Sequence, residues 1–300
     1  MFINLSSLRA TWIGLLSACL LSTSAFARDL PEVLESGVLR HLGIPYANFV
    51  TGSGDGFSVD LMKGFAAHIG VKYQYIETDW SVVFGDLTGR HARRGEQGAE
   101  FLDAAPIRGD VIANGLTILP WREDVVAFSD PTFPSAVWLI ARAESSVAPI
   151  RPSGSVSEDI VQVKKSMSGL SVLALESTCL DPGLYRLSET EADVRLPSRK
   201  LKLNEMAPAI LNNAAETTLL DVPDALIALE KWPGQLKVIG PVSENQLMAA
   251  GFRKDSPQLR AAFNDYLRKI RQDGSYRKLA EKYYPSAFLY FKDFFAAGKV

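Results

Sequence analysis

The sequence predicts an α/β protein with largely parallel sheets. Short apolar runs with strand-like alternation recur between stretches of helical periodicity along most of the chain. Two amphipathic helices close the C-terminal part. With 300 residues and two cysteines, the fold must rest on a large apolar core and not on a disulfide framework.

Residues 38–42 form the first expected strand. A helix follows from residue 57, because Leu61, Phe65 and Ile69 share one face; Gly70 is placed to end it in the left-handed conformation. Residues 71–76 alternate polar and apolar, as a strand does. Residues 110–113 read as a short strand leading into a loop at Gly115. Further strands are expected at 137–141, 170–175 and 217–220, the last running into Pro223 and a helix through Leu226 and Leu229. Ser256-Pro257 offers an N-cap and a first-turn proline for a helix carrying Leu259, Phe263, Leu267 and Ile270 on one face. Gly274 stops it, and Ser275 caps a second helix whose Tyr276, Leu279 and Tyr283 are expected in the core. Residues 90–106 are polar and contain glycine, which reads as an exposed insertion. Residues 144–168 read as a surface connection with a short helix.

The N-terminus carries an export pattern. Residues 1–27 hold one charged side chain, Arg9; an apolar run from Trp12 to Leu21 follows, and Ala25-Phe26-Ala27 fits a cleavage site. The run is too short to span a bilayer. Leu16-Ser17-Ala18-Cys19 also fits a lipoprotein box, so lipidation at Cys19 stays open. Either route places the domain outside the cytoplasm, in the periplasm for a bacterium with two membranes. With a net charge of −2 and no extended basic cluster, nucleic acid is an unsuitable partner. The three histidines and Cys179 show no metal-ligand spacing, and no glycine-rich phosphate loop occurs, so neither metal nor cofactor is expected.

Several motifs stand in order along the chain. They are Leu34-Glu35-Ser36-Gly37-Val38-Leu39-Arg40, the aromatic loop Tyr46-Ala47-Asn48-Phe49, and the helix start Gly56-Phe57-Ser58-Val59-Asp60-Leu61. The most specific is Gly109-Asp110-Val111-Ile112-Ala113-Asn114-Gly115-Leu116-Thr117, followed by Arg122 and Phe128-Ser129-Asp130-Pro131. Asp273-Gly274-Ser275-Tyr276 and Lys282-Tyr283-Tyr284 complete the pattern. Together they resemble family 3 of the bacterial extracellular solute-binding proteins, the receptors of polar amino-acid ABC transporters. The resemblance implies a periplasmic-binding-protein type II-like clamshell: residues 28–135 and 256–300 in one lobe, 136–255 in the other, joined by two crossover strands. It also implies a monomer that serves an ABC permease and holds a small carboxylate-bearing solute, an amino acid by preference.

By that resemblance Arg122 grips the solute carboxylate, a task for which two parallel guanidinium N–H donors are suited. The competing role is a surface arginine paired with Glu123 or Asp124. Gly115 and Thr117 correspond to a backbone amide and a hydroxyl of the family site, though Thr117 could instead cap a turn. In the second lobe, Glu176-Ser177-Thr178-Cys179 stands where the family has a glycine- and threonine-bearing loop, so Thr178 carries over most directly. Asp221 matches the acid that binds the solute ammonium and is equally placed to cap the Pro223 helix. Tyr46, Phe49 and Trp80 are the expected aromatic walls, with core packing an alternative for Trp80. Gly43, Leu119, Ser177 and Cys179 depart from the family pattern. Gly43 stands where an acid often sits, which argues against a basic amino acid.

Other functions share this fold. A periplasmic dehydratase needs a general acid in the cleft, and Glu176 and Asp221 are the candidates; no catalysis is expected. Fusion to a lytic transglycosylase is not expected either, because the chain stops at Val300. A sensory receptor partner, or an accessory factor of a periplasmic oxidoreductase system, would keep the same architecture.

Overall fold

The computed structural model describes residues 28–197 and 201–296. The expected leader, with Cys19, lies outside the described residues. The chain opens with α1 (Leu30–Ser36), β1 (Val38–Gly43), α2 (Phe57–His68), β2 (Lys72–Glu77) and α3 (Val83–Thr88). A hairpin of β3 (Arg90–Arg94) and β4 (Ala99–Ala104) follows, then β5 (Val111–Ile112), the single-turn α4 (Pro120–Glu123) and β6 (Ala127–Phe128). Through β7 (Phe133–Ser135) the chain crosses to β8 (Val137–Arg142), α5 (Val156–Ser166), β9 (Ser171–Leu173), β10 (Asp193–Arg195), α6 (Met206–Leu211), β11 (Thr217–Asp221), α7 (Val222–Lys231) and β12 (Leu236–Pro241). It returns through β13 (Gln246–Met248) and β14 (Gly251–Phe252), and ends in α8 (Pro257–Gln272), α9 (Ser275–Tyr283), α10 (Ala287–Tyr290) and α11 (Lys292–Ala296).

Among the described residues, two five-stranded sheets form the cores of two lobes: β2-β1-β5-β14-β6 and β10-β9-β11-β8-β12. Strands β7 and β13 pair antiparallel between them, with Phe133 opposite Met248. The sheets are mixed and not largely parallel. Within each, two strand pairs are parallel and two antiparallel, because one strand, β14 or β8, runs against both of its neighbours. The reason is connectivity: entry and exit share one edge of each lobe, so the strands next to the crossing must oppose each other.

The helices form where the apolar spacing directs, and their caps come from further away. Gly70 is left-handed just past α2, with its N–H bonded to Ala67 O. At α8, the Ser256 hydroxyl does not cap its own helix but donates to Arg28 O. The free N–H groups of Gln258 and Leu259 are taken instead by the Asp29 carboxylate, at 3.1 and 2.7 Å, so the chain start is pinned onto the C-terminal helix pair. At α9, Gly274 is the cap residue and Ser275 the first helical one; the Asp273 carboxylate accepts the Ser275 N–H at 2.8 Å. Tyr276 and Tyr283 are buried, and the Tyr276 hydroxyl donates to Thr132 O at 2.7 Å.

Asp110, fully buried, anchors β1 to β5. It accepts the Arg40 backbone N–H at 2.9 Å and the Arg40 guanidinium at 2.7 Å, with Arg28 at 3.5 Å. A buried carboxylate needs such partners, and they fix the loop after β5, where the site begins. Residues 90–106, expected as an exposed insertion, carry the β3–β4 hairpin, whose outer residues are largely exposed.

Candidate functional site

Arg122 projects from α4, which Pro120 starts after an extended Leu119. It is 1% exposed, which excludes the surface pairing with Glu123 or Asp124. Its Nη1 donates to Thr117 O at 3.0 Å. The guanidinium lies 5.2 Å from the Trp80 ring centroid, 5.4 Å from Trp121 and 6.0 Å from Phe84. Its Nε and Nη2 find no hydrogen-bond partner among the described residues. Burial lowers the Arg122 pKa to about 10, with Cys179 and Tyr185 opposing the shift, so the group is still a cation at neutral pH. A buried cation with two free donors on one edge offers the fork that a carboxylate fits.

More unsatisfied polar atoms lie near it in the chain. Both amide atoms of Asn114 are buried without a partner among the described residues, and the Thr117 hydroxyl is buried beside the Cys179 thiol. Thr117 bridges to Met248 of the returning strand, which places it at the crossing between lobes. Gly115 is left-handed at φ 73°, and a Cβ there would sit 2.6 Å from Phe49 Cδ2. Only glycine meets both the dihedral and the space.

From the second lobe, Asp221 ends β11. Its Oδ1 accepts the Asp224 N–H at 3.1 Å, so it caps α7. Its Oδ2 accepts the Tyr46 hydroxyl from the first lobe, and the Cys179 thiol lies 3.5 Å away. Burial pushes the carboxyls of Asp221 and Asp224 up, and the Asp221 charge raises Asp224 further. Burial likewise pushes the Cys179 thiol up, with the Asp221 charge adding to it, which makes it an inert thiol. The Tyr185 hydroxyl donates to Cys179 O and accepts from Gln246 Nε2 at 3.4 Å.

Tyr46 and Phe49 are buried and stacked on each other at 5.9 Å between centroids. Phe49 is packed further by Phe133 at 5.3 Å and Tyr284 at 4.9 Å, so its ring backs Tyr46 from within the core. Trp80 and Thr178 line a cleft of about 310 Å³ between the lobes. One wall is Ile44, Pro45 and residues 77–81; the other is residues 175–178 and 201–203. The Thr178 hydroxyl donates to Leu175 O at 2.7 Å and accepts the Leu180 N–H at 3.0 Å, holding its own turn. Ser177 is left-handed at φ 61° where the family pattern has glycine.

Of the expected site residues, Arg122, Thr117 and Trp80 come together, as do Gly115, Phe49, Tyr46 and Asp221, while Thr178 faces Trp80's cleft. Asn114, Gln246 and Tyr185 were not expected. Asn114 is a polar residue beside a buried two-residue strand, and that was the one available sign; nothing marked the other two. Among the described residues no group of three His, Cys, Asp or Glu side chains could hold a metal, and no helix is long and apolar enough to cross a membrane.

A model of the bacterial extracellular solute-binding proteins, family 3, matches residues 105–286. The lysine/arginine/ornithine-binding periplasmic protein of Escherichia coli is 26% identical over 279 residues, spanning 88% of this chain and 92% of its own. The membrane-bound lytic murein transglycosylase F of Desulfosudis oleivorans is 25% identical over 230 residues; the match takes in 76% of this chain but 44% of that protein's length. Among solved structures, a mutant of the arginine-binding protein ArgBP from T. maritima superimposes with a TM-score of 0.65 at 22% identity, covering 86% of this chain and 99% of its own.

Proposed function

Since the chain belongs to family 3 of the bacterial extracellular solute-binding proteins, we propose that it captures a small carboxylate-bearing solute, of amino-acid size, between its lobes and delivers it to an ABC permease. The observation that carries this reading is Arg122: a cation buried to 1% exposure with Nε and Nη2 unpaired among the described residues. Such a group costs several kcal/mol of desolvation unless an anion meets it, and a solute carboxylate is the anion this family would bring. Thr117, Asn114 and the Gly115 backbone are the polar floor beside it. Asp221, with Tyr46, is the acid available to an ammonium, and Trp80 and Thr178 line the entrance. Export by residues 1–27 and a monomeric periplasmic receptor belong to the same proposal.

Solute contacts from both lobes exist together only when the cleft is shut, so binding favours the closed arrangement by its differential affinity. Turnover is not part of the proposal. Asp221 is already engaged by three donors, and Glu176 is exposed at the rim, so neither is poised as a general acid.

A thermal-shift screen of the exported protein against amino acids, small amine-free carboxylates and polyamines tests the reading. At a hundredfold excess over Kd a solute stabilises by about 2.7 kcal/mol, a Tm rise of roughly 5–10 °C for a chain of this size. A shift with a carboxylate, and no conversion of that compound, is the expected result. Silence across every carboxylate at millimolar concentration would overturn it.

A further inference from the structure

The β3–β4 hairpin has no part in the solute site, yet it reaches the other lobe. It is built on the first lobe: the Ala99 N–H donates to the Asp124 carboxylate at 3.1 Å, and the Ala105 N–H to Gly89 O at 2.8 Å. His91 packs against α3, where a Cβ on Gly85 would stand 2.3 Å from its Nδ1. Across the hairpin Arg93 pairs with Glu100 at 2.8 Å. The strand end is thereby held firm, and from it Arg94 reaches the second lobe.

Arg94 Nη1 meets Asp181 Oδ1 of the second lobe at 2.9 Å. The pair is sheltered, with the Asp181 side chain 10% exposed and that of Arg94 31%. Asp181 has other duties: it accepts the Ser177 N–H at 3.0 Å and the Gly183 N–H at 2.9 Å. These two bonds shape the 175–183 segment that carries Thr178 to the cleft and Cys179 to Asp221. The guanidinium also lies against Gly183, where an added Cβ would come within 2.7 Å of Nη1.

We propose that the 90–104 hairpin is a closure latch, with Arg94 as a positioning residue that fastens the first lobe to the second through Asp181. It biases the two lobes toward the shut arrangement and steadies the 175–183 loop within it. The pair is partly screened by water, so its contribution is that of a good half-sheltered ion pair, about a five-fold change in an equilibrium. The inference rests on the two-lobe clamshell and on the solute reading only in that closure serves capture.

The test reads closure directly, with no solute added, so it remains decisive in a protein that binds no carboxylate. Dyes at Gln74→Cys and Glu158→Cys, both exposed and on opposite lobes, report the closed-to-open ratio of the exported protein by single-molecule energy transfer. Arg94→Ala lowers that ratio about five-fold at roughly 20 mM salt, and the difference shrinks at high salt as screening removes the pair's attraction. Arg94→Lys recovers part of it. Gly183→Ala, which removes no charge and crowds the guanidinium out of place, lowers the ratio in the same direction; it also covers the case of an Arg94→Ala protein that fails to fold. Ratios for Arg94→Ala and Gly183→Ala within a factor of two of the parent at low salt would overturn the latch.

Discussion

Replacing Arg122 by methionine separates a binding arginine from a structural one. Burial takes the Arg122 pKa from 12.5 to about 10. At about 1.36 kcal/mol per pKa unit, the charged form is disfavoured inside the protein by about 3 kcal/mol. Against that cost stand the hydrogen bond to Thr117 O and the three aromatic rings around the guanidinium, together about 2–4 kcal/mol. Methionine fills a similar volume without a charge and gives up both sides of this balance. We therefore expect Arg122→Met to unfold in urea within about 1 kcal/mol of the parent when no solute is present, and to lose all carboxylate-induced stabilisation. Breaking a true buried ion pair costs about 3–5 kcal/mol instead. A solute-free loss of that size, with a smaller urea midpoint at unchanged slope, would show that Arg122 has a protein anion as its partner and would refute the reasoning.

Three further outcomes follow from particular contacts. Asp221→Asn keeps a cap for α7 and an acceptor for Tyr46 but removes the charge; calorimetry should show weaker binding of ammonium-bearing solutes, by about 10–100-fold, and unchanged binding of amine-free acids. Asp29→Ala removes the acceptor for two first-turn N–H groups of α8, and its urea midpoint should fall by an amount equivalent to about 1 kcal/mol. His41 is buried between Ala113 O, at 2.6 Å from Nε2, and the Tyr73 hydroxyl, at 2.8 Å from Nδ1, and burial lowers its pKa to about 4. The unfolded chain binds the proton more readily, so this site takes stability away as pH falls below about 6.5, reaching about 2 kcal/mol at pH 5, and takes nothing above it. The raised carboxyls of Asp221 and Asp224 act with the opposite sign, and they cancel when the pH 7 to pH 5 loss of the parent is compared with that of His41→Gln. The variant should lose about 2 kcal/mol less; equal losses would show that His41 is not held neutral.

The fold was largely legible because its elements are written locally. The α2 and α8 faces, the β2 alternation and the strand before Pro223 each follow from spacing within one segment. Sheet direction was not, because β8 and β14 take their sense from where the chain crosses between lobes. The hairpin at 90–104 escaped for a related reason: among its residues only Ala92 is buried, so no apolar period announced the strands. The α8 cap was misread because the nearest serine is a plausible cap, while the carboxylate that does the work stands over two hundred residues away.

The site divides along the same line. Arg122 was singled out through a motif, but the property that makes it informative is that its Nε and Nη2 have no partner among the described residues, and no sequence displays that. The second-lobe groups are in the contrary condition. Asp221 is met by Tyr46, Cys179 and Asp224, and the Thr178 hydroxyl is used by its own turn. The open hydrogen-bonding capacity thus lies on the first lobe beside Arg122 and Asn114, while Asp221 gains its Tyr46 partner only where the two lobes meet. In the proposed reading a carboxylate meets Arg122 and Asn114 on the first lobe, and closure then brings Tyr46 of that lobe to Asp221 of the other. On that reading Arg122 governs whether a solute binds, and the Tyr46–Asp221 and Arg94–Asp181 contacts govern how long it stays.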